Sequence, residues 1–320
     1  MNGKSAPGGK VRLVTIDDRH AGQRLDNYLF TLLKGVPKSW VYRVLRRGEV
    51  RVNKGRSKPD RRLQHGDVVR VPPVRQAEQR SQRPPDRLLR TVEAAILYED
   101  DSLLILDKPS GLAVHGGSGV SHGVIEVLRA SRDANDFLEL VHRLDRDTSG
   151  CLMVAKRRSA LRDLQAQQRA QSIKKTYQAL LFGRSRRDRW DVDLPLRKNT
   201  LRSGERIVKV APDGKPARTA FRVIRRYRRS LLVDAELGTG RTHQIRVHAA
   251  ASAGPILGDA KYGNDPSQQH AREMGLDRLF LHAGELVLRH PDTGKSLALK
   301  ADLPEPLRNA LDYEHHDTAL

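Results

Sequence analysis

Apolar and polar positions alternate with two different periods along this chain, and the changes of period mark its organisation. Val11-Arg-Leu-Val-Thr-Ile16 alternates like an edge strand. Leu25, Leu29, Leu32 and Leu33 then fall at helical spacing within residues 24–33. Val41, Val44 and Leu45 repeat that spacing over a second helix, which Ser39 can cap and Gly48 can end. Strands at 50–52 and 67–71 follow, with turns at Asn53-Lys54-Gly55 and His65-Gly66-Asp67. Residues 73–88 are polar and bracketed by prolines, as in an extended linker. Beyond them, short apolar runs predict strands at 95–98, 103–106, 137–141, 151–155, 173–181, 219–224, 231–237, 279–283, 285–289 and 297–300. Helices are expected at 124–130, at 159–171 and after the tight turn at Gly238–Gly240, with Thr239 or Thr242 near the start of the last. Strands mostly follow strands, which predicts an α+β fold on a mixed, largely antiparallel sheet. The expected layout is a disordered 1–10, a small domain over 11–72, a linker over 73–88, a larger domain over 89–310 and a tail over 311–320.

Charge sharpens that division. The net charge is +21, of which +14 falls in the first 90 residues. A basic front end of this strength points to a polyanion as partner. Aromatic residues make up only 4% of the chain, so the charge is not interleaved with a broad stacking surface. No apolar run approaches the length of a membrane span, and MNGKSAPGGK has no apolar signal core, so a cytoplasmic protein is expected. The one cysteine excludes an internal disulfide and any cysteine-rich zinc site. Within the front end, Lys38, Arg43, Arg46 and Arg47 lie off the apolar stripe of the second helix. Together with Arg143, further along the chain, they are the candidate RNA-binding side chains.

The chemistry concentrates in His142-Arg-Leu-Asp-Arg-Asp-Thr-Ser-Gly150, a charged loop between two apolar runs. Charge held so close to a core is costly unless paired, which fits either a salt-bridged connection or an active-site loop. Asp145, flanked by Arg143 and Arg146, is the candidate carboxylate that must stay ionised. A phosphatase-like nucleophile fits poorly, because His142 and Arg143 interrupt the apolar strand that such an aspartate follows. Twelve histidines include His142, His243, His248 and His282, yet none shows zinc-site spacing, so no metal is expected. The glycine-rich Gly116-Gly-Ser-Gly119 lacks the Walker lysine, so no nucleotide cofactor is expected either. A carboxylate acting at a sugar–base bond remains, with Arg241, behind a pair of glycines, as its candidate cationic partner.

Two resemblances bear on this. Arg24-Leu-Asp26, Pro37-Lys-Ser39, Gly48-x-Val50-x-Val52-Asn53 and Gly66-Asp67 resemble the S4 RNA-binding domain. His142-Arg-Leu-Asp145-x-x-Thr148-Ser-Gly150, Lys175-x-Tyr177-x-Ala179 and Arg241-Thr-His-Gln-Ile-Arg-Val-His248 are similar to three motifs of the RluA family of pseudouridine synthases. Leu281-His-Ala283 and Gly258-Asp259-x-x-Tyr262-Gly263 fit the same family, and His115-Gly-Gly-Ser-Gly-x-Ser121 resembles its branch acting on 23S ribosomal RNA. The resemblance implies a cofactor-free isomerase with a central active-site cleft, probing 23S rRNA or a large-subunit precursor as a monomer. It implies Asp145 as nucleophile or base, Arg241 as its ion partner, Tyr177 against the target base, and Ile245 and Leu281 as pocket walls. A sibling acting on other ribosomal or transfer-RNA uridines would share these motifs. A non-catalytic assembly factor is the alternative of a different class.

Overall fold

The computed structural model describes residues 11–18, 20–33, 36–74, 83–116, 121–133, 136–200 and 206–319. The expected disorder of residues 1–10 and most of the glycine-rich loop at 116–119 lie outside them. The chain divides into two units, Met1–Arg83 and Pro84–Leu320.

The first unit runs β1 (Arg12–Thr15), α1 (Leu25–Leu32), α2 (Lys38–Arg47), β2 (Arg51–Val52), β3 (Gly55–Arg56) and β4 (Val68–Val71). Its four-stranded sheet has the order β1-β4-β2-β3. Leu25 and Leu29 of α1 and Val41, Val44 and Leu45 of α2 join Val50, Val52, Val69 and Val71 in one apolar core. The α2 cap is a correction. Pro37, not Ser39, occupies the N-cap, where its fixed φ suits the start of a helix and no side-chain cap forms. Gly48 ends the helix in the left-handed conformation, φ 71°. Lys38, Arg43, Arg46 and Arg47 all remain exposed.

The second unit begins with α3 (Asp86–Ala94), β5 (Ile96–Glu99), β6 (Leu103–Lys108), α4 (Val124–Ala130), β7 (Glu139–Leu140), β8 (Ser149–Ala155), α5 (Arg158–Arg169) and β9 (Lys174–Phe182). It continues through β10 (Arg189–Asp193), β11 (Leu196–Thr200), β12 (Arg206–Val210), β13 (Arg218–Arg226), β14 (Ser230–Leu237), α6 (Gln244–Ser252) and α7 (Asp265–Glu273). The described chain ends with β15 (Leu281–Arg289), β16 (Ser296–Lys300) and α8 (Glu305–Ala319). The main sheet has the order β10-β13-β14-β9-β15-β8-β6-β5, with β16 on β15 and β7 on β8. Every strand pair described is antiparallel except β15 with β8, so the sheet is mixed and largely antiparallel as the strand succession implied.

Three boundaries differ from the sequence reading. The 73–88 segment is not linker to its end, because Pro84-Pro85 lead directly into α3, whose Leu89 and Val92 are buried. Residues 311–319 are not a tail but the second half of α8, whose Leu307 and Ala310 enter the core. The strands expected at 279–283 and 285–289 are one strand, β15, with a register shift against β9 between Ala283 and Glu285.

The β15–β8 seam positions the site. It is parallel and only two pairs long, His282↔Ser149 and Ala283↔Gly150. Gly150 sits at φ 108°, and a Cβ there would collide with the Ala283 carbonyl, so only glycine lets the two backbones meet. All seven residues of β8 are buried. The charged loop at 141–148 therefore emerges from the middle of the core-forming sheet.

Candidate active site

The loop before β8 is held by its backbone, which frees its side chains. Lys108, at the end of β6, is fully buried, and its Nζ donates to the carbonyls of Pro109 (2.7 Å), Leu112 (2.8 Å) and Arg146 (2.9 Å). Burial pushes its pKa down to about 7, with Asp147 opposing the shift. The Ser110 hydroxyl donates to the Asp147 carbonyl at 2.7 Å, and the Gly111 N–H to the Arg146 carbonyl at 2.9 Å. At the other end of the loop, His142 Nε2 accepts the Met153 N–H at 3.2 Å.

That bond fixes His142 as a neutral ring, since an accepting Nε2 carries no proton. Burial, reinforced by the Lys175 charge, pushes its pKa down to about 3. Below the unfolded-state value of about 6.5 the unfolded chain binds a proton that the native chain refuses. Stability contributed by this histidine is thus complete above pH 6.5 and is lost as pH falls toward 3. The expected slope is about 1.4 kcal/mol per pH unit well below 6.5. Thermal melting between pH 7 and 5 checks this: His142→Gln should lower stability at pH 7 and flatten its acid dependence.

The loop delivers Asp145 to a cavity of about 230 Å³. Tyr177 from β9, Ile245 from the first turn of α6 and Leu281 from the start of β15 also line it. Tyr177 and Leu281 come from neighbouring strands, with Ala283↔Tyr177 and Leu281↔Ala179 in register. Tyr177 is buried, which raises its hydroxyl pKa, and the nearby Asp145 charge adds to the effect. The cavity therefore presents one carboxylate, one aromatic ring and two aliphatic walls. A second cavity, about 530 Å³, meets the first at Asp145, Arg143, His243 and Arg246 and adds Arg146, His115 and Lys261. It is the basic side of the site.

The ion partner of Asp145 is a correction. Arg241 lines the first cavity, but its Nε donates to the Pro216 carbonyl at 3.2 Å. It lies in the turn before α6, where the Gln244 side chain accepts the Arg241 N–H (3.0 Å) and the Thr239 hydroxyl (2.7 Å). Arg246, inside α6 and only 4% exposed, places Nη1 3.8 Å from Asp145 Oδ2. Its other nitrogens form a fork on the fully buried Asp259, Nε to Oδ2 at 2.7 Å and Nη2 to Oδ1 at 2.6 Å. Such a two-bond fork fixes both the position and the plane of the guanidinium. The flanking arginines do not pair with Asp145 as expected either: Arg146 turns to Asp147 at 3.1 Å, and Arg143 is exposed.

His243 was not assigned to the site by sequence. Its Nε2 stands 4.0 Å from Asp145 Oδ2, and its Nδ1 meets the Tyr262 hydroxyl at 2.7 Å. Burial lowers its pKa, opposed by the Asp145 charge. Its backbone is left-handed, φ 53°. The other histidines satisfy local bonds: His248 meets Thr219 Oγ1 and the Leu194 carbonyl, and His282 meets Ser149 Oγ and the Ala301 carbonyl. Among the described residues no group of three or more His, Cys, Asp and Glu side chains is arranged to hold a metal ion. Cys151 is buried, with its thiol pKa pushed up to about 12 by desolvation.

Known proteins are similar to this chain over most of its length. A family model for RNA pseudouridylate synthases matches residues 102–251, and one for the S4 domain matches residues 23–69. A ribosomal large subunit pseudouridine synthase C of Yersinia pestis is 54% identical over 303 residues, covering 94% of this chain and 95% of the relative. This chain belongs to the RNA pseudouridylate synthase family.

A second relative of the same name, from Escherichia coli strain K12, is 52% identical over 305 residues, covering 94% of this chain and 96% of its own. Among solved structures, human RNA pseudouridylate synthase domain containing 4 superposes with a TM-score of 0.60 at 26% identity, covering 72% of this chain and 96% of that one. For this pseudouridylate synthase, the residues missed by sequence reasoning all lie inside quoted motifs. Arg246 and His243 sit in the Arg241–His248 run, and Asp259 and Tyr262 in the Gly258–Gly263 run. The signal that separates Arg246 from Arg241 is helical position. Arg246 lies inside an apolar helix, Arg241 outside it.

Proposed function

We propose that this enzyme converts uridines of large-subunit (23S) ribosomal RNA to pseudouridine, with Asp145 as the nucleophile or base. One observation carries the reading: an aspartate, held beside an arginine that is itself locked to Asp259, faces a tyrosine ring across an aliphatic pocket. Cleaving the N1–C1′ bond leaves positive character at C1′, which a carboxylate can trap by attack or relieve by removing the C2′ proton. Attack at C6 of the uracil uses the same group. The ring turns in the pocket, C5 bonds to C1′, the C5 proton leaves and N1 gains one. Elemental composition is unchanged, so the reaction requires no redox cofactor or nucleotide. Tyr177 supplies the face against which the turning base packs. Extruding the base from its stack costs a few kcal/mol, which phosphate contacts along the basic cavity offset. The names of the similar proteins support large-subunit rRNA as the substrate class.

The test is tritium release from [5-³H]uridine-labelled 23S RNA in EDTA, since forming the C5–C1′ bond expels the C5 hydrogen. Release, followed by mapping of the product, supports the reading. Release only from transfer RNA or from a different ribosomal site would assign a sibling specificity. No release from any of these RNAs, with binding retained, would favour an assembly factor.

The S4 unit is proposed to supply affinity rather than sequence recognition. Lys38, Arg43, Arg46 and Arg47 are exposed on one helix, and Lys38 Nζ lies 5.1 Å from the centre of the Phe30 ring. Binding through phosphates releases counterions, so affinity should fall steeply with salt. Replacing Arg43, Arg46 and Arg47 with glutamine should weaken RNA binding and reduce the slope of log K against log salt by about two to three. An unchanged slope would place the RNA elsewhere.

A further inference from the structure

The hydrogen-bond chain behind His243 fixes which way its proton points. The Val208 N–H, from β12, donates to the Tyr262 hydroxyl oxygen at 2.9 Å. The hydroxyl keeps its own hydrogen for the atom 2.7 Å away, His243 Nδ1. Nδ1 therefore accepts, and the ring proton resides on Nε2, the nitrogen that faces Asp145. The reverse tautomer would aim an imidazole lone pair at a carboxylate and leave the tyrosine proton without this acceptor. The T-shaped contact of the two rings, with centroids 5.6 Å apart, holds the same orientation. A non-glycine residue in the left-handed region is strained, and the chain keeps that conformation at the one residue whose side chain makes this link.

The distance matters as much as the direction. Nε2 lies 4.0 Å from Asp145 Oδ2, too far for a direct hydrogen bond and close enough for a single oxygen to bond to both. Such an oxygen must accept from an N–H and donate to a carboxylate, which describes a hydroxyl. Arg246 Nη1 approaches the same carboxylate oxygen at 3.8 Å, so Oδ2 is the oriented edge of Asp145 and Oδ1 is the other. In the routes through C1′ attack or C2′ proton removal the carboxylate works beside C1′, and the nearest hydroxyl of the substrate is then on the adjoining carbon, C2′.

Resting on the functional reading above, we propose that His243 reads the ribose 2′-hydroxyl of the target nucleotide. Nε2–H donates to the hydroxyl oxygen, and the hydroxyl donates to Asp145 Oδ2. His243 is then the residue by which the site distinguishes RNA from DNA at the nucleotide it isomerises, a distinction that only the 2′-hydroxyl offers. Tyr262 is the positioning residue that sets the tautomer.

The experiment is a cycle of enzyme and substrate changes. Single-turnover rates are measured on an RNA fragment containing a uridine that the wild-type enzyme has been shown to modify, carrying ribose or 2′-deoxyribose at that nucleotide. Wild type is compared with His243→Asn, which tolerates the left-handed backbone, and with Tyr262→Phe. Intrinsic effects of the deoxy sugar on glycosidic chemistry are common to all three enzymes and cancel in the ratio. The ribose-to-deoxyribose rate ratio is expected to be about tenfold larger for wild type than for His243→Asn, the effect of one lost hydrogen bond to a charged network. Tyr262→Phe should lower the ratio in the same direction while leaving the imidazole in place. Where the deoxy substrate yields no measurable product, 2′-fluorouridine, which cannot donate, takes its place. Equal ratios in wild type and both variants would overturn the proposal. Absence of product from the ribose substrate with wild type is a separate result, because it removes the functional reading itself. Melting temperatures and RNA affinity establish that the variants are folded, and Tyr262→Phe carries the test if His243→Asn is not.

Discussion

Replacing Asp145 with asparagine is expected to reduce tritium release at least about 10⁴-fold, the loss found when a nucleophile or base is removed from a site that otherwise stays intact. The substitution keeps the size of the side chain and its polar edge. Asp145 is 20% exposed, and among the described residues its carboxylate is approached no closer than 3.8 Å by a cation, so its amide analogue should leave the fold undisturbed. The loop itself is held by Lys108, Ser110 and His142, none of which touches that carboxylate. RNA affinity and melting temperature should consequently match wild type while turnover disappears. Residual turnover above about one hundredth of wild type would move the chemistry to another group.

Arg246 and Arg241 should separate by a wide margin. Arg246→Met removes the cation beside Asp145 and also leaves Asp259, fully buried, without its two-bond partner. Breaking a buried pair in this way costs about 3–5 kcal/mol of stability. Turnover should fall at least about 100-fold, the scale of removing a preorganised charge from a catalytic site. Arg246→Lys should recover little of it, because an ammonium cannot hold Asp259 in a fork and still extend an N–H toward Asp145. Arg241→Met breaks a single bond to a carbonyl and should cost less than about tenfold. Denaturant melts and single-turnover rates on the same four proteins decide the matter. If Arg241→Met is the more damaged of the two methionine variants, the geometric assignment of the partner is wrong.

The short continuous runs of apolar residues marked most of the main sheet, because a strand buried on both faces has few other sequences open to it. The whole of β8 is an example. The elements that escaped notice have weak or misleading patterns. Pro84-Pro85 looked like the close of a linker when it opens α3, and the Asp- and His-rich second half of α8 looked like a tail. The ribbon of β11 and β12 is short, and its apolar residues, Leu196, Ile207, Val208 and Val210, are interrupted by basic ones. Asp145, Tyr177, Ile245 and Leu281 were legible because each belongs to a motif and reaches the site by the shortest local path. The pairing of Asp145 was not legible. Which of two arginines in one motif turns inward depends on where α6 begins, and that is set by the Gln244 side chain closing the preceding turn. Asp259 lay within a recognised run, but its fork with Arg246 depends on contact between segments, which no local spacing announces.

The short parallel seam between β8 and β15 also sets the order of events during folding. It joins Ser149 to His282 and Gly150 to Ala283, residues separated by most of the catalytic unit. The hairpins β13–β14 and β15–β16 can close early, since their partners are near in sequence. The seam must wait until the whole intervening chain has been gathered, and loop-closure entropy makes that a late step. Leu281 stands beside Tyr177 only when β15 has docked on β9, and Asp145 faces both only when β8 has joined them. Catalytic competence is therefore acquired at the end of folding, after the bulk of the secondary structure, and a nascent chain gains the active site only once its β15 segment has been synthesised and released.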